Sequence, residues 1–296
     1  MSKIVELFGI STAVEPQPDW YQITSSKRCP FLERLCLKNR KSQSDVLIGS
    51  CTVLTGKEQS AIVICPHRLL ERRQIFSDCI HLLTLHEPGN EFHILSEVPI
   101  PGGTVDYFLV SADKQNRVKD FVGIELQTLD TTGNVWPERQ RFLKSVGLPV
   151  AQDDTDSKKS FAMNWKMTAK TILMQLHHKI ETFESFNKHL VLALQQPLLE
   201  YMESGFNFGH IGTAKLGDAM HFHAYDLEQS PNGTWRLTLN SRRSTDAGGV
   251  ANSLGLKGGA KIELQEIIAV LEAQLSAATL FSLGKITDVT PVTKPS

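Results

Sequence analysis

Three polar side chains on two predicted strands are of the types that could act on a phosphodiester bond. Asp106 follows a Pro101-Gly102-Gly103 turn at the start of one strand, and Glu125 and Gln127 lie two positions apart on the next. Residues two apart on a strand point to the same face of the sheet. Carboxylates are the hard oxygen ligands that Mg²⁺ takes, and a bound Mg²⁺ neutralises phosphate charge and activates water. We therefore expect Asp106 and Glu125 to hold Mg²⁺.

The third position of this pattern is Gln127, where a lysine is more usual. A glutamine amide can orient water and a phosphate oxygen through hydrogen bonds, but it carries no charge and cannot accept a proton. The base would then be bulk water, a substrate phosphate or metal-bound hydroxide. The same short pattern also occurs by chance, so a solvated strand face stays open as the alternative.

The cysteines form a second candidate site. All five lie in the first quarter of the chain: Cys29, Cys36, Cys51, Cys65 and Cys79. Four thiolates suit zinc or iron, although the spacing is not the tight C-x2-C of a zinc ribbon, and buried cysteines without a ligand are common. The adjacent prolines Pro30 and Pro66 favour loop positions, where structural metals are often bound. Cys79 lies in an apolar-periodic stretch and is interpreted as a packed residue.

Basic residues are concentrated in the same part of the chain. A basic stretch extends from Lys27 to Lys41 and a second from His67 to Arg73, although the formal net charge of the whole chain is −1. This balance excludes a polycationic protein but not a nucleic-acid ligand, since local clusters can bind phosphate. We interpret residues 20–80 as a basic, cysteine-bearing subregion.

The candidate acidic residues need a framework of strands and helices. Strands are predicted at 105–110, 121–129 and 190–194, and an amphipathic helix at 164–186, where apolar residues recur every three or four positions. A short helix from Pro197, a hairpin of strands 221–225 and 235–239, and a helix from about 262 to 281 complete the prediction. The order strand, strand, helix, strand is that of an α/β PD-(D/E)XK nuclease core, a mixed central sheet flanked by helices.

Length and composition set the domain organisation that we expect. The 296 residues, 41% of them apolar, suffice for one elaborated domain or two small ones. We divide them into a basic, cysteine-bearing metal-binding region (1–85) and an endonuclease domain with a C-terminal hairpin and helix (86–296). No apolar run is long enough to span a bilayer, and the start does not read as a secretion signal. We therefore expect a cytoplasmic location, where disulfides are rare.

Four motifs together resemble the NotI-type restriction endonucleases, over roughly residues 29–202. The motifs are Ile64-Cys65-Pro66-His67-Arg68-Leu69-Leu70-Glu71, Pro99-Ile100-Pro101-Gly102-Gly103-Thr104-Val105-Asp106-Tyr107-Phe108-Leu109, Gly123-Ile124-Glu125-Leu126-Gln127 and Asn164-Trp165-Lys166-Met167-Thr168-Ala169-Lys170. The resemblance implies a PD-(D/E)XK endonuclease in which the catalytic residues are Asp106, Glu125 and Gln127. It also implies a structural four-cysteine site for iron or zinc at Cys29, Cys36, Cys51 and Cys65.

The function expected from the resemblance is that of a type II restriction endonuclease. Such an enzyme makes Mg²⁺-dependent double-strand breaks in duplex DNA and leaves 5′-phosphate ends. The resemblance further implies a homodimer acting on a short, GC-rich palindromic site, since a two-fold symmetric protein matches a palindrome. Two alternatives remain: a catalytically silent DNA-binding or regulatory module on the same fold, favoured by the missing lysine, and a repair-type nuclease.

Overall fold

The protein is an α/β structure whose described residues form two main sheets and three two-stranded ones. A computed structural model describes residues 2–40, 43–57, 59–156, 161–255 and 264–281. A four-stranded sheet with the order β2-β1-β7-β8 belongs to the N-terminal part of the chain, and an eight-stranded sheet contains most of the later strands. In the part of the chain described here, no helix is both long and apolar enough to cross a membrane.

Short strands dominate the N-terminal part. They are β1 (Ile4–Leu7), β2 (Ile10–Ser11), β3 (Arg28–Cys29), β4 (Arg34–Leu35), β5 (Asn39–Arg40), β6 (Gln43–Leu47), β7 (Ser50–Thr55) and β8 (Ser60–Val63). Helix α1 (Trp20–Ser26) lies between β2 and β3, and its first turn is capped by the side chain of Asp19, which accepts a hydrogen bond from the backbone N–H of Gln22. Two 3₁₀ segments, Pro66–Arg73 and Ile80–Leu82, flank the short helix α2 (Gln74–Ser77) and lead into the larger sheet.

The remaining elements begin at β9. The strands are β9 (Glu91–Ile100), β10 (Gly103–Ala112), β11 (Val118–Gln127), β12 (Thr131–Thr132), β13 (Ala162–Met163), β14 (His189–Gln195), β15 (Gly212–Thr213), β16 (Met220–Gln229), β17 (Trp235–Thr245) and β18 (Leu280–Phe281). The helices are α3 (Trp136–Ser145), α4 (Gln152–Asp156), α5 (Trp165–Ser185), α6 (Gln196–Gly205), α7 (Ala247–Leu254) and α8 (Leu264–Glu272).

The eight-stranded sheet is mixed, as predicted. Its order is β15-β17-β16-β14-β11-β10-β9-β18. Strand β14 is parallel to both β11 and β16, whereas the β9–β10–β11 meander and the β16–β17 hairpin are antiparallel. All seven residues of β14 are buried, as expected for a parallel strand covered on both faces. The predicted strand, strand, helix, strand order is confirmed by β10, β11, α5 and β14.

Helix α5 covers one face of this sheet because its apolar stripe repeats every three or four residues. Ala169, Ile172, Leu176 and Ile180 are all less than 3% exposed and belong to the core on that face. The core on the opposite face contains Leu109, Val122 and Ile124 together with the segment from Leu69 to Leu83. Residues of β10 and β11 therefore alternate between two cores.

The turn between β9 and β10 packs directly against α5. Gly102 has φ +95°, and a Cβ placed there would lie 2.3 Å from the carbonyl oxygen of His178. A residue other than glycine would be strained by its backbone angle and would also clash with the helix. The turn that the sequence predicts at residues 101–103 is thus confirmed, and its glycine sets how closely the turn approaches the helix.

This close approach predicts the cost of adding one methyl group. We expect Gly102→Ala to lower the free energy of unfolding by roughly 2–5 kcal/mol, from backbone strain and overpacking together. The matched control is Gly89→Ala, because Gly89 has φ +97° and nothing within 4 Å of its Cβ position. The control should lose only about 1–2 kcal/mol from strain. Equal losses for the two variants in urea unfolding would mean that the turn does not pack against α5.

The C-terminal prediction is wrong in one respect. The predicted helix from 262 to 281 begins outside the described residues, and helix α8 ends at Glu272. Residues 280–281 instead form β18, which pairs with β9 through Leu280–His93 and Phe281–Phe92. A distant strand edge supplies the hydrogen-bond partners here, and such long-range pairing overrides local helix propensity.

Candidate active site

Asp106 and Glu125 face each other across neighbouring strands. The register of β10 and β11 pairs Tyr107 with Ile124, and continuing it by one pair places Asp106 opposite Glu125. Directly opposed residues have Cβ atoms about 4.5–5.5 Å apart. The Glu125 side chain lies on the α5 face, where it contacts Lys179, and the charge of Asp106 is close enough to raise the pKa of Glu125. The structure therefore brings the two predicted carboxylates together.

Burial governs the charge of both carboxyl groups. It raises the pKa of Asp106, while a hydrogen bond from the Leu126 backbone N–H to Oδ2 (2.8 Å) acts in the opposite direction. The pKa of Glu125 rises to about 7, mainly through burial and secondly through the nearby negative charge of Asp106. The Lys179 ammonium group acts in the opposite direction on Glu125, and a bound divalent cation would favour the charged form of both carboxylates further.

The donor atoms fit a hard divalent cation. Oδ2 of Asp106 and Oε1 of Glu125 are used in hydrogen bonds, whereas Oδ1 and Oε2 make none with any described residue. Mg²⁺ is typically bound by one or two carboxylates, with waters and substrate phosphates completing its shell. Within residues 2–281, apart from the gaps given above, no three His, Cys, Asp or Glu side chains are arranged to hold a metal ion by themselves. A cation here would depend on the two carboxylates and on non-protein oxygens.

Gln127 lies on the same strand but faces a cleft. Its Nε2 donates to the carbonyl oxygen of Thr128 at 2.5 Å, and the residue is partly exposed. The cleft has a volume of about 770 Å³ and is lined on its other side by Lys38, Arg40 and His67. The amide therefore lies next to a space that is bordered by basic residues.

Lys179 is the site residue that sequence reasoning missed. It projects from α5 and is 6% exposed, and its Nζ lies 2.7 Å from Glu125 Oε1 and 2.6 Å from the carbonyl oxygen of Thr104. One signal was available: Lys179 follows Leu176 by three positions and Ile172 by seven, so it falls on the apolar stripe of the helix. A lysine at a core-facing position needs a buried partner, and that partner is Glu125.

The four cysteines assigned to a metal share one neighbourhood. Burial is the main cause that raises the pKa of Cys29 and the pKa of Cys36. The negative charge of Cys65 also raises both values. The neighbouring Cys51 side chain is the main cause that lowers the pKa of Cys65 to about 4, and the pKa of Cys51 is raised well above its ordinary value; the Cys51 thiol donates to the carbonyl oxygen of Gly49. The donor chemistry fits zinc or iron, although these thiols are not arranged as a closed coordination shell.

Cys79 lies elsewhere. It is fully buried in the core on the opposite face of the large sheet, with its Sγ 3.8 Å from His223 Nδ1. Burial raises the pKa of its thiol well above the ordinary value. The prediction that Cys79 is a packed residue is confirmed, and all five cysteines are free thiols.

The basic stretches have two different environments. Lys38 and Arg40 line the cleft, although Lys38 donates to the carbonyl oxygen of Ile64 at 2.7 Å and Arg40 lies 4.4 Å from the ring centre of Trp136. Lys41 lies outside the described residues. Arg68, by contrast, is 1% exposed and forms ion pairs with Glu6 and Glu71. Its charge is neutralised inside the protein and is therefore not available to a DNA phosphate.

The sequence of this chain matches one known protein family. The sequence model of the family described as "Restriction endonuclease NotI" matches residues 22–234, more than half of the chain. No curated protein and no solved structure gave a significant match. The matched segment contains the four clustered cysteines and the strands that carry Asp106, Glu125 and Gln127. The chain therefore belongs to the NotI family of restriction endonucleases, type II site-specific deoxyribonucleases that act on DNA.

Proposed function

We propose that this endonuclease makes Mg²⁺-dependent double-strand breaks at a short, GC-rich palindromic site and leaves 5′-phosphate ends. The observation that carries the proposal is the neighbouring pair of carboxylates, Asp106 and Glu125, on adjacent strands of a mixed sheet, the arrangement expected of a PD-(D/E)XK core. These two carboxylates would hold Mg²⁺. When bound, the cation would supply neutralisation of the scissile phosphate and activation of water for in-line attack.

The protein's own groups have separate tasks in this reaction. Asp106 is oriented by the Leu126 N–H and Glu125 by the Lys179 ammonium group, so each presents its second oxygen to a ligand. Gln127, at the edge of the cleft, would donate a hydrogen bond to water or to a phosphate oxygen. Because an amide cannot take up a proton, the proton of the attacking water goes to solvent or to the substrate phosphate.

The cleft beside Gln127 is proposed as the path of the DNA backbone. Lys38, Arg40 and His67 line one side of it, and the segment after β11 lines the other. Such cationic and polar groups neutralise phosphates without reading sequence. We also propose that the protein acts as a homodimer, so that two such sites cut the two strands of a palindrome.

The cysteine cluster is proposed as a structural metal site within the N-terminal region 1–85. Cys29, Cys36, Cys51 and Cys65 would bind iron or zinc as thiolates, and the lowered pKa of Cys65, which lies close to Cys51 and His67, favours a thiolate at that position. Elemental analysis of the purified protein tests this: one equivalent of iron or zinc per chain is expected, lost on Cys51→Ser. Cys79→Ser should keep the metal. Full metal content in the Cys51 variant would reject the ligand set.

The cleavage proposal is tested with supercoiled plasmid and long DNA of known sequence. Purified protein with Mg²⁺ should give discrete fragments whose mapped ends carry 5′-phosphates and share one palindromic sequence, and EDTA should abolish cutting. Gel retardation without cutting would favour the silent DNA-binding module instead. Nicking at mismatches would favour the repair-type nuclease.

The raised pKa of Glu125 predicts a pH dependence of metal binding. Since protons compete for the carboxylate, affinity for Mn²⁺, used as a probe for Mg²⁺, should fall as pH drops through about 7, the pKa of Glu125 in the metal-free protein. Below that value, the affinity should fall about tenfold per pH unit. Calorimetric titrations of the DNA-free protein between pH 5.5 and 8.5 measure this. An affinity that is constant down to pH 5.5 would show that no ligand of the cation takes up a proton in this range and would contradict the prediction.

A further inference from the structure

Helix α5 carries a buried lysine, Lys179, whose ammonium group lies in the candidate site. The ammonium group of Lys179 lies 2.7 Å from Glu125 Oε1, and the side chains of the two residues are 7% and 6% exposed. A buried charge is costly unless it is paired and hydrogen-bonded, so both groups are held in this geometry. Lys179 is thus fixed on the glutamate rather than extended into solvent.

The same ammonium group also contacts the strand that carries Asp106. It donates to the carbonyl oxygen of Thr104 at 2.6 Å, two residues before Asp106 on β10. The preceding turn packs against the helix at Gly102, beside the carbonyl of His178. One side chain therefore connects the start of β10 to the carboxylate of Glu125 on β11, and it does so at the point where the hairpin meets α5.

This geometry leaves defined atoms for a cation. Lys179 engages Oε1 of Glu125, and Oε2 makes no hydrogen bond with a described residue. Without the ammonium group, the Glu125 carboxylate could rotate. Strand β10 would also lose the link to β11 that Lys179 provides through its two hydrogen bonds. Groups that orient metal-binding side chains in this way typically change metal affinity or activity by about 10–100-fold when removed.

We propose that Lys179 is a positioning residue of the cleavage reaction, which holds the Glu125 carboxylate and the start of β10 in the arrangement that receives the divalent cation. This inference rests on the proposed function of Asp106 and Glu125. Lys179 does not contact the cation or the DNA in this role. It acts through Glu125 and through the start of β10.

The chain contains a matched ion pair for comparison. Lys188 Nζ lies 2.6 Å from Asp120 Oδ1, with side chains 10% and 2% exposed. Asp120 is on β11, the strand of Glu125, but five residues earlier. A purely structural role for Lys179 predicts that losing either lysine has the same consequences. The positioning role predicts that both losses reduce stability, but that only the loss of Lys179 affects the cation and turnover.

The experiment compares Lys179→Met, Lys179→Gln and Lys188→Met in the full chain. Thermal unfolding reports stability, electron paramagnetic resonance titration of Mn²⁺ reports cation affinity without turnover, and plasmid cleavage reports kcat and KM. Both methionine variants should unfold at a lower temperature than the wild type. The Lys179 variants should bind Mn²⁺ about 10–100-fold more weakly and lose kcat by a similar factor. KM for DNA should stay within about twofold of the wild-type value, because phosphate contacts are unchanged.

The outcomes separate this inference from the proposed function. If the Lys179 variants bind Mn²⁺ and cleave as well as Lys188→Met, Lys179 is a structural residue and the inference fails, while the proposed function stands. If the wild type binds no Mn²⁺, or Glu125→Gln cleaves normally, the proposed function itself fails. A fold that survives the loss of Lys188 but is lost with both Lys179 substitutions would assign Lys179 to stability alone and would also overturn the inference.

Discussion

Glu125→Ala should abolish DNA cleavage while leaving metal-independent DNA binding nearly intact. The substitution removes one of the two carboxylates that face each other across β10 and β11. A catalytic metal ion contributes several kcal/mol of transition-state stabilisation. Losing its ligand should therefore lower the cleavage rate by at least about 10³-fold. Plasmid cleavage with saturating Mg²⁺ measures the loss, and gel retardation in EDTA measures the binding.

The alanine variant needs an isosteric companion. Removing Glu125 leaves Lys179 buried without its carboxylate partner, and an uncompensated buried charge destabilises a fold by about 3–5 kcal/mol. Glu125→Gln keeps an oxygen acceptor for Lys179 and removes only the charge that a cation needs. Exposed Glu228 on β16 provides the control variant Glu228→Ala, which should cleave at the wild-type rate. Cleavage by folded Glu125→Gln at more than a tenth of the wild-type rate would reject the assignment.

The sequence predicts the strands, the helix and the turn that carry the site, because hydrophobic periodicity and turn residues are properties of short segments of the chain. The strand predicted at 121–129 overlaps β11 (Val118–Gln127), and the apolar stripe located α5 within one residue at each end. The turn at Gly102 followed from its residue types. Elements of this kind are determined by interactions between near neighbours in the chain.

The partners of buried charges could not be predicted in the same way. Lys179 meets a glutamate 54 positions away, and nothing in the helix sequence identifies that glutamate. Arg68 has the sequence context of a surface cation, but the fold surrounds it with acceptors from two distant strands, β1 and β17, and with the carboxylate of Glu71 from its own 3₁₀ segment. The roles of Asp106, Glu125, Gln127 and the cysteines stay predictions, because geometry shows which groups meet but not what they bind.

Arg68→Met should be among the most destabilising single substitutions in the N-terminal part of the chain. The Arg68 guanidinium is 1% exposed and lies 2.8 Å from carboxylate oxygens of both Glu6 on β1 and Glu71. It also donates to the carbonyl oxygen of Trp235 at the start of β17, so it joins the small sheet to the large one. Methionine fills part of the volume but leaves two acidic groups without their cation. We expect a loss of about 3–5 kcal/mol in the free energy of unfolding, measured in urea.

Two further variants show whether that loss comes from unpaired charge. Arg117→Met removes an ion pair of equal length, 2.8 Å to Asp113, but Arg117 is 66% exposed, so the cost should stay below about 1 kcal/mol. Adding Glu6→Gln and Glu71→Gln to Arg68→Met removes the uncompensated acids and should restore about half of the lost stability, since neutral replacement of a whole buried ionic group is often tolerated. A triple variant that is no more stable than Arg68→Met would show that packing of the guanidinium, rather than its charge, joins the two sheets.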